Sequence, residues 1–251
     1  MMKQIPKVIH YCWFGRKPMP KLALKCIASW KEYLPDYEIK EWNEDNFDVN
    51  IIPYTKDAYN AGKYAFVSDY ARFWILYYHG GVYFDVDVEV IKPMNDILMK
   101  GQYMGCELSF RNEINVAPGL GMAAFPQEEI YKELLDLYSG LKFYNSDGSM
   151  NLTTIVKYTT DVLSKYGFVK ENRNQECSGI YIYATDYFCP INNRTKKCVI
   201  TDNTYSIHHF AATWVPWSSK VMKLKRFFFT EEQISAISRF LDHFRKNKKS
   251  V

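Results

Sequence analysis

Neither a CxxC pair nor a long apolar run occurs in this sequence. Without about 18 consecutive apolar residues, no segment reads as a membrane-spanning helix. The six cysteines, at 12, 26, 106, 177, 189 and 198, match no disulfide or zinc spacing. They read as reduced thiols packed as small hydrophobes, with Cys177, Cys189 and Cys198 the one set open to a zinc reading. Glycine and proline are scarce, 12 and 10 of 251 residues, which excludes collagen-like and low-complexity chains. Charge of one sign is scarce too, since 32 basic against 28 acidic residues leave only +4. That balance excludes histone-like and acidic solvating chains, and with basic residues scattered before the C-terminus it excludes nucleic acid as a partner. The opening stretch MMKQIPKVIHYCWFG is interrupted by Pro6, Lys7 and His10 and lacks a small-residue cleavage site, so it does not read as a signal peptide. The expectation is a cytoplasmic protein, free or held peripherally on the inner face of the cell membrane.

Aromatics are what the chain has in surplus: 20 Tyr, 16 Phe and 6 Trp make 17%. Such side chains fill a core, and they also pack flat faces on sugars or bases while their polar tips stay hydrogen-bonded. With 47% hydrophobic residues the length suits one sizeable core plus an appendage. Residues 5–14 read as a strand, 22–34 as a helix ending before Pro35, and 37–42 as a second strand. A β-α-β opening of this kind favours an α/β sheet with a ligand site at the strand carboxyl ends. Residues 66–78 are helical in period but apolar nearly all round, as a helix buried on most sides would be, and Gly80-Gly81 should end it. Residues 82–90 then alternate, with Tyr83, Asp85, Asp87 and Glu89 on one side, which predicts a single strand. Helices are expected at 127–140 and 150–166, and strands near 181–183 and 205–210. A capping box at Thr230 opens a last helix that runs into Arg245-KNKK.

The chemistry concentrates around Asp85-Val86-Asp87. Two carboxylates two residues apart project together and suit one hard divalent cation, with a diphosphate completing its oxygen ligands. Asp69 and Arg72, at i and i+3 on the apolar helix, form either an intrahelical ion pair or the polar wall of a pocket. A carboxylate beside a guanidinium suits hydroxyl-rich ligands. His208 and His209 end the late strand, and neighbouring strand residues point to opposite faces, so one of them at most should reach a given metal. Thr213 and Trp214 follow, each carrying a donor suited to a diphosphate.

The segments IPKVIHYCWFG, SDYARFWILYYHGGVYFDVDVEV and SIHHFAATW, in this order, resemble glycosyltransferase family 32, over about residues 5 to 217. These are DXD-motif sugar transferases of bacterial capsule, exopolysaccharide and O-antigen synthesis and their eukaryotic relatives. A more distant likeness is to the clostridial glucosylating toxins. The resemblance implies an α/β GT-A fold, Rossmann-like, for a catalytic domain at 1–217, followed by a basic helical tail at 218–251. It implies a UDP-sugar donor, Mn²⁺ or Mg²⁺, and retention at the anomeric carbon. On matching positions, Asp85 and Asp87 would hold the metal against the diphosphate, with His208 as the late ligand and His209 the weaker candidate. Asp69 and Arg72 would grip the donor sugar, and Tyr83 would line that pocket. His10, Trp13 and Phe14 in the IHYCWFG turn would cradle the nucleoside. Thr213 stands where serine is more usual before Trp214, and keeps the hydroxyl. Asn115 and the glycines of APGLG look like an acceptor-side loop.

Two rival readings stand beside this one. Phe84-DVDV also matches the nucleophile loop of haloacid-dehalogenase phosphatases, but 84 residues precede Asp85 and no later DD or GDxxxD follows. A non-catalytic carbohydrate-binding module would have no need of Asp85 or Asp87. The tail, with Lys220, Lys223, Lys225 and Arg226 before Phe227-FF, reads either as a solvated cap or as an anchor on anionic lipid. An anchor would suit a lipid-linked saccharide acceptor.

Overall fold

The computed structural model describes residues 4–109, 111–192 and 195–211, and the statements below concern these. The chain opens as its periodicity predicts, with β1 (Val8–Cys12), α1 (Lys21–Tyr33) and β2 (Glu38–Trp42), β2 lying parallel to β1. α1 buries Ala23, Cys26, Ser29 and Trp30, one stripe at helical spacing. A short α2 (Pro53–Asn60), with proline in its first turn where no N–H is missed, leads to α3 (Tyr64–His79). α3 is the helix expected from the apolar run. It stops where expected: Gly80 takes φ 63° and donates its N–H to the Leu76 carbonyl at 2.9 Å. Gly81 is required for close approach, because a Cβ there would lie 2.7 Å from the Val8 carbonyl oxygen on the neighbouring strand.

The alternating stretch 82–90 is not one strand. β3 (Gly81–Tyr83) pairs parallel with β1, whereas β4 (Val88–Val90) belongs to a separate two-stranded sheet. Between them the chain turns, and the Val88 N–H donates to the Asp85 carbonyl at 3.0 Å. The Asp85 N–H has left the ladder and instead meets the Gly119 carbonyl at 3.4 Å. Val82, Phe84, Val88 and Val90 are at most 1% exposed, but Tyr83 is as deeply buried on the opposite side and Val86, inside the turn, is only half-buried. A period of two in the sequence does not require the backbone to stay in one ladder.

Beyond β4 come α4 (Asn95–Lys100), β5 (Tyr103–Leu108), β6 (Ile114–Val116), a 3₁₀ turn at Pro118–Leu120 and β7 (Met122–Ala124). They are followed by α5 (Glu129–Gly140), α6 (Ile155–Lys165), β8 (Gln175–Cys177), β9 (Ile180–Tyr183), α7 (Thr185–Phe188) and β10 (Ser206–His208). The expected helices at 127–140 and 150–166 are therefore α5 and α6. The expected helix after Thr230 and the boundary at 217/218 lie outside the described residues.

The main sheet is eight-stranded, ordered β2-β1-β3-β7-β5-β9-β8 with β6 beside β5, and β10 pairs β4 separately. β2, β1 and β3 are parallel, β7 runs against both its neighbours, and β9 is parallel to β5. This is a mixed α/β sheet with a Rossmann-like parallel half, the GT-A type of architecture the sequence led us to expect. Consecutive residues of β3 and the position after it feed two separate cores, Tyr83 joining one and Val82 and Phe84 the other. Phe73, Tyr131 and Val162 of α3, α5 and α6 pack in the first, while Trp30 and Ile97 of α1 and α4 pack in the second. Both sheet faces are thus covered, and ligands are left the strand ends.

Candidate active site

The Asp85–Val88 turn follows β3 directly, at the carboxyl end of the parallel strands. Arg72 reaches it from the buried helix and forks onto Asp85, Nη2 to Oδ1 at 3.1 Å and Nη1 to Oδ2 at 3.3 Å. The same Nη2 lies 3.1 Å from Asp69 Oδ1, and Arg72 Nε donates to the Ser68 carbonyl at 3.1 Å. Arg72 is 4% exposed and sits over the Tyr83 ring. A guanidinium so deeply buried is tolerable only with its donors matched in this way. The Tyr83 hydroxyl donates to Asp85 Oδ1 at 3.2 Å. Burial pushes the Asp69 carboxyl up to about 7; Arg72 pulls it down, Asp85 adds to the rise, and the Ile155 N–H at the start of α6 opposes it. Of the two alternatives open for Asp69 and Arg72, the ion pair is present, and it reaches on to the DXD turn.

Gly119 completes this seat. A Cβ there would stand 2.3 Å from Asp85 Oδ2, so only glycine lets the Pro118–Leu120 turn close over the carboxylate. The glycine pair of APGLG was expected at an acceptor-side loop; Gly119 lies against Asp85 itself, and Asn115 lies on β6.

β10 supplies the late histidine. It runs antiparallel to β4 with His208 opposite Val88, and the His209 N–H donates to the Asp87 carbonyl at 2.9 Å. His208 Nε2 lies 3.2 Å from Asp87 Oδ1. Ligand atoms of Asp85, Asp87 and His208 all fall within 4.8 Å of one another, the one such group among the described residues. Burial opposes the charged form of His208, but Asp87, with Asp85 and Glu107, outweighs it and raises its pKa. His208 Nδ1 is buried and has no hydrogen-bond partner among the described residues. Two carboxylates and an imidazole converging in this way fit a divalent cation. His209 turns away, as strand pleating demands, and its Nε2 meets Glu89 Oε2 at 2.8 Å, with Lys25 Nζ 2.7 Å from Glu89 Oε1.

β4 is held from its other side by α1. The Trp30 indole N–H donates to the Val88 carbonyl at 2.8 Å, and Ser29 Oγ accepts from the Val90 N–H at 3.0 Å. These side chains satisfy the strand edge that β10 leaves open.

The expected nucleoside residues separate into two kinds. Trp13 is half-buried, its indole N–H donating to the Lys17 carbonyl at 2.6 Å. Phe14 is buried against the edge of Phe47, and Tyr83, 1% exposed, props Asp85 from beneath. His10 is 2% exposed, with Nδ1 accepting from the Trp42 indole N–H at 3.0 Å. Since indole only donates, the His10 proton lies on Nε2, aimed at the Gly80 carbonyl 3.1 Å away. Burial lowers the His10 pKa to about 4. His10 and Phe14 therefore brace the turn from inside the fold, and Trp13 is the member placed at its surface. Thr213 and Trp214 lie outside the described residues. Cys177 and Cys189 are buried free thiols and Cys198 is exposed, and among the described residues they join no metal-ligating group. Sequence reading did not single out Glu107 or Ser29, and gave Gly119 no link to Asp85, because their partners are distant in the chain.

Residues 20–104 match the glycosyltransferase sugar-binding region containing the DXD motif, a span that includes Asp69, Arg72, Asp85 and Asp87. Over 243 residues the chain is 26% identical to an uncharacterised glycosyltransferase of Acanthamoeba polyphaga mimivirus, covering 92% of this chain and 90% of that protein. It is 29% identical over 114 residues to inositol phosphoceramide mannosyltransferase 1 of Schizosaccharomyces pombe, 41% of this chain but only 34% of that relative's length. Among solved structures, the PaToxG glycosyltransferase aligns with TM-score 0.49 and 20% identity, over 64% of this chain and 69% of that one.

Proposed function

We propose that the chain is a DXD-motif glycosyltransferase that moves a hexose or N-acetylhexosamine from a UDP-sugar to a saccharide acceptor, using Mn²⁺ or Mg²⁺ held by Asp85, Asp87 and His208. The observation that carries this reading is the convergence of those three side chains beside Asp69 and Arg72. Asp69 and Asp85 share one guanidinium and Asp87 lies against His208, so carboxylates outnumber the fixed positive charge, a field that would repel a diphosphate. A divalent cation would cancel that excess of negative charge and, when bound, supplies Lewis-acid stabilisation of the departing diphosphate. Asp69 accepts hydrogen bonds from the donor sugar hydroxyls, while Arg72 holds Asp69 and Asp85 in fixed relation. Trp13 and its loop line the nucleoside side, and Thr213 and Trp214 donate to the diphosphate. For retention, the acceptor hydroxyl attacks the anomeric carbon from the face that the leaving group vacates. The bond to the β-phosphate oxygen breaks, and the departing phosphate takes the hydroxyl proton. Trapping a covalent glycosyl-enzyme would overturn that route.

The deciding experiment is slow donor hydrolysis across a panel of nucleotide sugars with Mn²⁺. GDP-mannose belongs in the panel because one relative is named as a mannosyltransferase. Hydrolysis of a UDP-sugar, abolished by EDTA, supports the reading; turnover of GDP-mannose alone would reassign the base. The phosphatase reading lacks the later acidic pair that would complete its magnesium site, and 84 residues precede Asp85 where that motif normally opens the fold. Phosphate release from para-nitrophenyl phosphate, without donor hydrolysis, would restore it. A binding module without catalysis would keep its sugar affinity in the Asp85→Ala and Asp87→Ala variants.

For the acceptor we propose a lipid-linked saccharide of polysaccharide synthesis, met at an anionic membrane surface through residues 218–251. The relative named for inositol phosphoceramide supports a lipid acceptor. No helix among the described residues is long and apolar enough to cross a membrane. Co-sedimentation with anionic vesicles that is unchanged on removing 218–251 would overturn the anchor.

A further inference from the structure

The connection leaving β1 carries Trp13 and lies beside the DXD seat. Cys12, the last residue of β1, is buried with its thiol against Tyr83 and in the field of Arg72 and Asp85. Three residues later the backbone enters unusual territory, with φ 93° at Gly15 and 56° at Arg16. Consecutive left-handed residues, one of them not glycine, need outside support to persist. Glu44, from the turn that follows β2, supplies it. Glu44 Oε1 accepts from the Gly15 N–H at 2.6 Å and from the Tyr59 hydroxyl at 3.0 Å. Glu44 Oε2 lies 3.8 Å from Arg16 Nε, and Arg16 Nη1 donates to Asp45 Oδ2 at 2.9 Å. The Glu44 side chain is 10% exposed although it holds a surface loop.

The contacts close a ring. A Cβ on Gly15 would lie 2.3 Å from Cε2 of the Tyr64 ring, so the loop backbone packs directly on that residue. Tyr64 in turn meets the Tyr59 ring, centroids 5.3 Å apart. Tyr64 is the first residue of α3, the helix that carries Asp69 and Arg72. One buried carboxylate thereby ties the loop to the helix bearing the donor-sugar residues.

We propose that Glu44 is a positioning residue for donor binding, locking the Gly15–Arg16 backbone against Tyr64 so that Trp13 is presented to the nucleoside in a preformed loop. This rests on the reading of the site as a nucleotide-sugar site. Without the carboxylate the loop must be ordered anew when ligand arrives, and that cost appears in affinity rather than in the chemical step. A hydrogen bond to a charged acceptor corresponds to about a tenfold change in binding.

The test is titration of UDP with Mn²⁺ into the full chain and into Glu44→Ala and Glu44→Gln, with KM and kcat for donor hydrolysis and the melting temperature of each. Glu44→Ala should weaken UDP binding and raise KM about tenfold while kcat stays within about twofold. Glutamine keeps a carbonyl oxygen for Gly15 and Tyr59, so Glu44→Gln should restore most of the affinity. A purely structural role predicts a lowered melting temperature with wild-type affinity, and that result overturns the proposal, as does a fall in kcat alone. Should Glu44→Ala not fold, Glu44→Asp takes its place; its arm is too short for Gly15, and unchanged UDP affinity in it is equally fatal. A wild-type chain that binds no UDP at all overturns the donor reading, and this inference with it.

Discussion

Replacing Gly119 by alanine probes the seat of the DXD turn with one methyl group. Gly119 is not in the left-handed region, so alanine suits its backbone, and the effect must come from what the new Cβ meets. That atom would stand 2.3 Å from Asp85 Oδ2, where ordinary contact begins at 3.4 Å, and 3.4 Å from Arg72 Nη1. The carboxylate therefore has to retreat by about 1 Å. It cannot do so while keeping Arg72 at 3.1 and 3.3 Å and Tyr83 at 3.2 Å. A displacement of this size in a reacting centre costs about 100-fold in rate, or about 2.7 kcal/mol. Overpacking should also cost about 1–3 kcal/mol of stability, which urea unfolding will report separately. The assay is kcat/KM for donor hydrolysis at saturating Mn²⁺. Gly140→Ala is the matched control, since a Cβ there meets nothing within 4 Å, and its turnover should equal wild type. A folded Gly119→Ala protein with wild-type turnover would mean that Asp85 takes no part in the reacting centre.

Removing the two histidines separately should give unlike results. His208→Ala takes a ligand from the three-residue cluster and should weaken Mn²⁺ binding at least about tenfold by calorimetry, while His209→Ala, whose ring meets Glu89, should leave it within about twofold. Equal losses would refute the assignment. His10 should impose a pH dependence on stability. Its native pKa of about 4 lies below the ordinary 6.5, so as pH falls through this window the unfolded chain binds a proton that the native protein refuses. The His10 contribution to stability should then drop by about 2 kcal/mol between pH 7 and 5, while Asp69, raised to about 7, works in the opposite direction, so the quantity to read is the difference between wild type and His10→Gln in urea titrations. Ser29→Ala leaves the Val90 N–H without its acceptor and should cost about 1–3 kcal/mol of unfolding free energy, with a wild-type value contradicting the described edge contact.

What was legible in the sequence was local. Apolar periodicity marked α1 and α3, Gly80-Gly81 marked the end of α3, and the parallel β1–β2 opening followed from spacing and length. Asp85 and Asp87 were named from their two-residue spacing, Asp69 and Arg72 because charges on an apolar helix must find partners, and His208 through the family resemblance. Distant pairings were not legible. The alternation of 82–90 hid a turn, since apolar residues recur at every second position on both sides of it although residues 81–84 are all buried and Val86 is not. Gly119 advertised a tight backbone but not the carboxylate it makes room for. His10 and Phe14 were expected to contact the nucleoside because the resemblance to glycosyltransferase family 32 implies it for the IHYCWFG turn. Only the arrival of Trp42 and Phe47 from elsewhere in the chain shows them facing inward. α2, β5 to β8 and α7 are short, and several are nearly wholly buried, so neither periodicity nor capping had length enough to speak.

Register explains why one histidine of the adjacent pair reaches the carboxylates. Slipping β10 by a single residue along β4 would exchange His208 and His209 between the two faces. Several contacts oppose that slip at once. The Ile91 N–H donates to the Tyr205 carbonyl at 2.9 Å at one end, and the His209 N–H meets the Asp87 carbonyl at the other. Trp30 and Ser29 meanwhile fix β4 itself to α1. The two carboxylates arrive on one short turn, but their third partner comes from a strand that follows after more than a hundred residues. The cluster is therefore complete only once β10 has docked in the correct register. A cation that binds the finished cluster and not the open chain must stabilise that docking by mass action, so ligand binding and the register of a two-stranded sheet become one equilibrium.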